Sequence, residues 1–138
     1  MLKKAKFLSL FAIFFFSGCS DTHISQIHSK SFFKKDITCM NLTLFPPNES
    51  IANSFNSLYT FTPNCDLDLI ASYKKSIVCN SNQNSEKKAL GMAKSYLRLE
   101  LKQKNTLLYS YYIDLDENVK DIDIKNGFKV MKKTLPLR

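Results

Sequence analysis

The feature that most constrains this 138-residue chain is an alternating stretch between Leu97 and Leu115. Leucines alternate with charged residues up to Leu101, and large apolar residues of one parity return after Gln103-Lys104-Asn105. A period of two predicts two strands that each bury one face. A three-residue loop, with Asn105 left-handed, would set Leu101 opposite Leu107. This register keeps all the large apolar groups on one face, because a slip of one residue inverts every side chain.

A second hairpin is predicted over residues 122–130. A loop at Lys125-Asn126-Gly127 would set Ile124 opposite Phe128, with Gly127 left-handed in a bulged turn. Upstream, the parity of Met40, Leu42 and Leu44 predicts a strand over Asp36–Phe45 that stops at Pro46-Pro47. Residues 66–79 form either one long strand or two short ones.

The fold class predicted for residues 36–138 is all-β, a small antiparallel immunoglobulin-like β-sandwich. The chain has no Trp, so the Trp-against-disulfide core of antibody domains is absent. Ser50–Thr62 is ambiguous, since Ile51, Phe55 and Leu58 have helical spacing whereas residues 58–62 resemble a strand. The alternative is a small α+β domain, if Ser50–Leu58 is helical.

Residues 1–18 have the organisation of a secretory signal peptide. Lys3, Lys4 and Lys6 precede an apolar run, Phe7–Phe16, that ends in Ser17-Gly18. The run is too short to span a bilayer, which needs about 20 residues. The leader carries three of the 20 basic residues and none of the 12 acidic ones. Its removal leaves 120 residues, one small domain, with a formal net charge of +5 rather than +8.

The end of the leader, Phe16-Ser17-Gly18-Cys19, resembles the lipobox of bacterial lipoproteins, with Phe16 where Leu is usual. The resemblance implies that the leader is cleaved and that Cys19 carries diacylglycerol and a further acyl chain such as palmitate. Ser20 after that cysteine implies the outer membrane. With the Lys- and Asn-rich composition and residues 95–115, the chain is similar to small lipoproteins of Campylobacter and Helicobacter type bacteria. That similarity implies a variant immunoglobulin-like fold.

Residues 19–35 are polar and lack apolar periodicity, so we expect a flexible tether between the lipid and the domain. Both histidines, His23 and His28, lie in it, without the Cys or carboxylate set that a metal site needs. Three cysteines remain for the domain: Cys39, Cys65 and Cys79. They allow one disulfide, whose pair stays open, and leave one thiol that is buried or linked to a partner.

Few kinds of chemistry fit this composition. With both histidines in the tether, a His-based catalytic triad inside the domain is excluded. Three glycines, at 18, 91 and 127, exclude a Gly-rich phosphate loop. The basic residues form scattered pairs rather than one stripe, which argues against nucleic-acid binding. Residues 114–118 resemble the start of a calcium loop, but Val119 stands where Gly is needed and Lys125 where an acid is needed. We therefore expect a turn there and no metal or cofactor.

The remaining candidate is an interaction patch on the polar side of the first hairpin. In the predicted register Tyr96 and Tyr112 face each other beside the acidic residues Asp114, Asp116 and Glu117. Tyr is favoured at interfaces, although a simple cross-strand aromatic pair is the more ordinary explanation. We expect a membrane-anchored, non-enzymatic module of the bacterial cell envelope, which either binds another envelope protein or has a structural role. The alternative is a carrier or assembly factor for lipid or lipopolysaccharide, which would need an apolar groove between the two sheets of the sandwich.

Overall fold

The computed structural model of the protein describes residues 22–74 and 95–138. Its strands are β1 (His23–Ile27), β2 (Asn41–Phe45), β3 (Leu67–Lys74), β4 (Ser95–Gln103) and β5 (Thr106–Leu115). Its α-helices are α1 (Glu49–Asn56) and α2 (Asp121–Thr134), and a short 3-10 helix covers Phe32–Lys34. The predicted leader, Cys19 and Cys79 lie outside the described residues. Within them, no helix is long and apolar enough to cross a membrane.

The five strands form one mixed sheet in the order β1-β5-β4-β3-β2. All neighbours are antiparallel except β2 and β3, which are parallel. Parallel neighbours need a crossover connection, and α1 lies in that connection. The protein is thus a small β-rich domain. The sandwich and its immunoglobulin-like form are not confirmed, because the described residues form one sheet backed by helices, as in the α+β alternative.

The ambiguous stretch after Pro47 is resolved as a helix followed by a loop. The Asn48 side chain accepts a hydrogen bond from the Ile51 backbone N–H (3.1 Å) and so caps α1. Phe55, on the buried side of α1, is fully buried, whereas residues 58–62 do not form a strand. The helical spacing of Ile51 and Phe55 therefore predicted the structure correctly, whereas the strand-like pattern of residues 58–62 did not.

The core lies between one face of the sheet and the two helices. Its central side chains are each exposed by 2% or less: Phe55, Leu69, Ala71, Leu97, Leu99, Leu101, Tyr109, Tyr111, Ile124, Phe128 and Met131. Burial of one such side chain contributes about 1.5–3 kcal/mol, so this interface supplies most of the driving force for folding.

The first hairpin has the predicted faces but a different register. The turn contains two residues, Lys104-Asn105, with Gln103 paired to Thr106. A bulge next to Leu101 then pairs Leu101 with Tyr109 rather than with Leu107. The extra residue restores the apolar parity that a two-residue turn alone would have inverted. Lys104, not Asn105, has the left-handed conformation (φ 54°).

The predicted second hairpin is wrong, because residues 121–134 form α2. Ile124, Phe128 and Met131 recur at intervals of four and three residues, which places them on one buried helix face. The Asp123 carboxylate accepts a hydrogen bond from the Lys120 backbone N–H (2.8 Å) at the start of the helix. An ion pair between Asp121 and Lys125 (2.6 Å) supports the first turn.

The prediction of a flexible tether over residues 19–35 is wrong for residues 23–27, because they form the edge strand β1. Ser25 pairs with Tyr111 in the register, and its Oγ lies 2.9 Å from the hydroxyl of Tyr109. Four of the five residues of β1 are exposed, so backbone hydrogen bonds rather than apolar alternation hold it. The strand predicted over Asp36–Phe45 is shorter and begins at Asn41, although Ile37 forms an isolated bridge with Leu137.

A disulfide joins Cys39 to Cys65, with 6.0 Å between their Cα atoms. Each cysteine lies two residues before a strand, so the bond ties together the starts of the parallel strands β2 and β3. For a loop of this length, the loss of chain entropy in the unfolded state corresponds to about 3.5 kcal/mol of stability.

Gly127 allows α2 to lie close to the sheet. A Cβ atom at this position would lie 2.9 Å from Cε1 of Tyr111 and 3.4 Å from Cδ1 of Leu99. Both neighbours are buried in the core, so neither side chain can move away without opening a gap. Gly127 is therefore a packing residue and not the turn residue that the sequence suggested.

We expect Gly127→Ala to lower the free energy of unfolding by about 1–3 kcal/mol, because the added methyl group overpacks the contact with Tyr111. Asn126→Ala is the matched control, since Asn126 is exposed on the same helix and Ala has the higher helix propensity. Urea unfolding followed by circular dichroism measures both variants. A Gly127→Ala protein as stable as the Asn126→Ala protein would contradict the close contact.

Candidate functional site

The candidate site is the face of the sheet that points away from the two helices, here called the open face. In the part of the chain that the structure describes, both helices pack on the opposite face. The open face carries the alternate side chains of all five strands: Ile24, Gln26, Asn41, Thr43, Phe45, Asp68, Ile70, Ser72, Lys74, Tyr96, Arg98, Glu100, Lys102, Ser110, Tyr112 and Asp114. Its three basic and three acidic side chains balance, in contrast to the basic chain as a whole.

A stacked tyrosine pair lies on the open face where β4 meets β5. The ring centroids of Tyr96 and Tyr112 are 5.8 Å apart, and the ring planes differ by 22°. Tyr96 pairs with Asp114 and Tyr112 with Arg98 in the strand register, so the two tyrosines are diagonal neighbours. The sequence had placed them directly opposite each other. Their contact survives the register change because long aromatic side chains reach diagonal positions.

Tyr112 is held in place by Asp114. Its hydroxyl donates a hydrogen bond to Oδ1 of Asp114 at 2.6 Å. The pKa of Tyr112 is raised to about 12, and this hydrogen bond is the main cause. Burial and the negative charge of Asp114 make smaller contributions. The Tyr112 ring is therefore fixed at both ends, by the stack with Tyr96 and by this hydrogen bond.

Glu100 organises the charged part of the open face. It is only 8% exposed and lies between Arg98 and Lys102, two positions before and after it on β4. Arg98 forms an ion pair with its Oε1, and Nζ of Lys102 lies 3.1 Å from its Oε2. Both carboxylate oxygens are thus satisfied, as a nearly buried charge requires. The Arg98 side chain stays 49% exposed, next to Tyr112 in the register.

The structure brings together three of the five residues predicted for the interaction patch. Tyr96, Tyr112 and Asp114 are neighbours, whereas Asp116 and Glu117 lie in the turn after β5. Glu117 forms an ion pair with Lys120 just before α2.

Three charged residues of the open face were missed as site residues: Arg98, Glu100 and Lys102. The sequence feature that could have identified them is their alternation with buried leucines, which places them on the polar side of β4. Sequence alone does not show that one carboxylate binds both cations. That arrangement depends on side-chain rotamers within the folded sheet.

The side chains of both histidines contact residues of β5. The His23 ring stacks on Tyr111 with 5.5 Å between centroids, and Nε2 of His28 lies 2.8 Å from Oγ of Ser110. Among residues 22–74 and 95–138, no three His, Cys, Asp or Glu side chains come together as a metal site would require. What the open face offers is a set of fixed aromatic and charged side chains suited to binding.

The raised pKa of Tyr112 gives a spectroscopic test of the site. We expect its phenol to ionise near pH 12 and Asp114→Asn to lower that value, because the main cause of the shift is removed. The hydrogen bond of the phenol stabilises the fold fully below pH 10, which is the pKa of tyrosine in the unfolded chain. This stabilisation is lost as the pH rises through 12, the pKa in the folded protein. NMR titration of ¹³C-labelled tyrosine, assigned with Tyr112→Phe, measures the pKa. Asp116→Asn is the control, and an equal shift in both variants would refute the assignment.

Comparisons with models of protein families, with curated proteins and with solved structures found no match to this chain. The function is therefore inferred from the open face and from the N-terminal sequence.

Proposed function

We propose that the protein is a lipid-anchored, non-enzymatic module of the bacterial cell envelope that binds another envelope protein through its open face. The observation that carries this proposal is the stacked pair Tyr96–Tyr112 beside the half-exposed Arg98. Tyr and Arg are enriched at protein interfaces and among the residues that dominate binding energy.

The rigidity of the open face favours binding. Asp114 holds Tyr112 and Glu100 holds Arg98, so these side chains lose little rotamer freedom when a partner docks. The balanced charge of the face suits a protein surface with both signs of charge better than a polyanion. A partner that presents an apolar side chain to the tyrosines and a carboxylate to Arg98 would complement it.

The location in the envelope is supported by two independent features. The cationic leader and the sequence Phe16-Ser17-Gly18-Cys19 favour export and acylation at Cys19, with Ser20 favouring the outer membrane. The disulfide between Cys39 and Cys65 fits an oxidising compartment outside the cytoplasm.

The alternative, a carrier for lipid or lipopolysaccharide, receives no support from the packing. Such a carrier would need an apolar groove between its layers. Ile124, Phe128 and Met131 fill the space between α2 and the sheet in the described residues, and each is exposed by 2% or less. The open face offers a surface rather than an enclosed chamber.

Site-specific photo-crosslinking in intact cells tests the binding role. A photoreactive residue at Ser72, which lies between Phe45 and Arg98 in the register, should yield one dominant protein adduct. The same residue at Asn53, exposed on α1, is the control and should yield none. We expect Arg98→Ala to weaken the complex by about 2 kcal/mol. Equal adducts from both positions would contradict a binding role for the open face.

Acylation is tested with labelled palmitate. We expect Cys19→Ala to abolish incorporation of the label and to release the protein from the membrane fraction, because two or three acyl chains provide nearly all of the anchoring free energy. Cys79→Ala is the matched control, since it also removes one thiol. Unchanged labelling of the Cys19→Ala protein would refute the anchor.

A further inference from the structure

The outer surface of α2 carries a lysine-rimmed cleft. Lys125, Lys129, Lys132 and Lys133 surround an apolar floor of Leu58 and Phe128, and the cleft has a volume of about 360 Å³. Lys125 is already paired with Asp121. In the described ranges, no acidic partner is seen for the other three lysines, so the cleft has an excess of positive charge.

The lysines give α2 the character of a helix that lies on a membrane surface. Ile124, Phe128 and Met131 form its buried stripe, while the lysines point outward or to the side. Ile122 is 55% exposed and lies three and seven residues before Lys125 and Lys129, on the same side of the helix. Helices with basic residues around exposed apolar side chains bind anionic bilayers at the head-group level.

The N-terminus of the domain lies beside this helix. The His23 ring stacks on Tyr111, and Gly127 of α2 packs against the same tyrosine ring. Tyr111 therefore connects the beginning of β1 with the middle of α2. Only four Cα–Cα steps, at most ~15 Å, separate His23 from Cys19. An acyl anchor on Cys19 would thus hold α2 near the bilayer, since the tether is far shorter than the sequence suggested.

We propose that the outer surface of α2 is a second, electrostatic membrane contact, which binds the phosphate groups of an anionic phospholipid bilayer. This inference rests on the lipid anchor of the proposed function. The contact orients the domain, because the open face lies on the other side of the sheet and then points away from the bilayer, toward a partner. Each lysine near such a surface strengthens binding about five-fold, so three together contribute roughly one hundred-fold.

The absence of Trp from the sequence permits a clean test with the full acylated chain. Ile122→Trp places one fluorescent reporter on α2, and Phe45→Trp places a control reporter on the open face. Each protein is reconstituted on vesicles of phosphatidylcholine alone or mixed with phosphatidylglycerol. We expect a blue shift of Ile122→Trp on the anionic vesicles only, reversed by high salt, and no shift of Phe45→Trp.

A pair of charge-matched variants separates a specific surface from net charge. In the Ile122→Trp background, Lys129→Gln/Lys132→Gln/Lys133→Gln should lower the equilibrium constant for docking on anionic vesicles roughly one hundred-fold. Lys34→Gln/Lys35→Gln/Lys104→Gln removes the same charge at exposed positions outside α2 and the open face, and should leave docking nearly unchanged. An equal loss of docking in both variants would overturn the proposal, and so would an unshifted emission of the Ile122→Trp protein on anionic vesicles. Either result would count against a membrane contact even if α2 contacted a protein in cells.

The two proposals fail in different ways. Without an acyl anchor, the chain would not float with phosphatidylcholine vesicles, and the proposed function would lose its membrane attachment. The α2 contact would still be tested by flotation with anionic vesicles. Binding that requires Lys129, Lys132 and Lys133 would support the contact, and a lack of binding would overturn it. An anchored chain with no shift at Ile122→Trp would overturn the α2 contact alone.

Discussion

The packing of α2 on the sheet at Gly127 is the contact on which the rest of the structure depends. The missing side chain lets the helix backbone approach Tyr111 and Leu99, and the helix then buries Ile124, Phe128 and Met131 against β4 and β5. The same tyrosine ring receives His23 from the edge strand β1. One aromatic side chain thus joins the first strand, the central hairpin and the last helix.

This packing gives the sheet two different sides. The helix side is a closed apolar core, and the open side has a nearly buried carboxylate, Glu100, between two cations and a stacked tyrosine pair. A buried ion pair is weak evidence for stability, because desolvation offsets much of its attraction. Its effect here is positional, since it holds Arg98 beside Tyr112. The rigid surface on one side and the lysines on the other are the features on which the proposed partner binding and the proposed membrane contact rest.

The accuracy of sequence interpretation differed between elements for physical reasons. The faces of β4 and β5 could be predicted because half-buried strands alternate strictly, whereas the bulge beside Leu101 depends on local backbone geometry. Residues 122–130 were misread as a hairpin because Ile122, Ile124, Phe128 and Val130 match a two-residue period by chance. The continuation to Met131 and Leu135 has helical spacing, and tertiary packing selects it. Strand β1 escaped detection because an exposed edge strand has no apolar pattern.

The sequence by itself determined the apolar parity of the central strands, the basic and apolar pattern of residues 1–18 that precedes Cys19, and the positions of the four cysteines. These properties are local, since each depends on residue types at short spacing. Only the tertiary structure decided that Cys39 pairs with Cys65, that Gly127 is a packing residue and that Arg98, Glu100 and Tyr112 form one surface. Those outcomes depend on contacts between residues distant in the chain or on rotamers, and such contacts leave no periodic trace in the sequence.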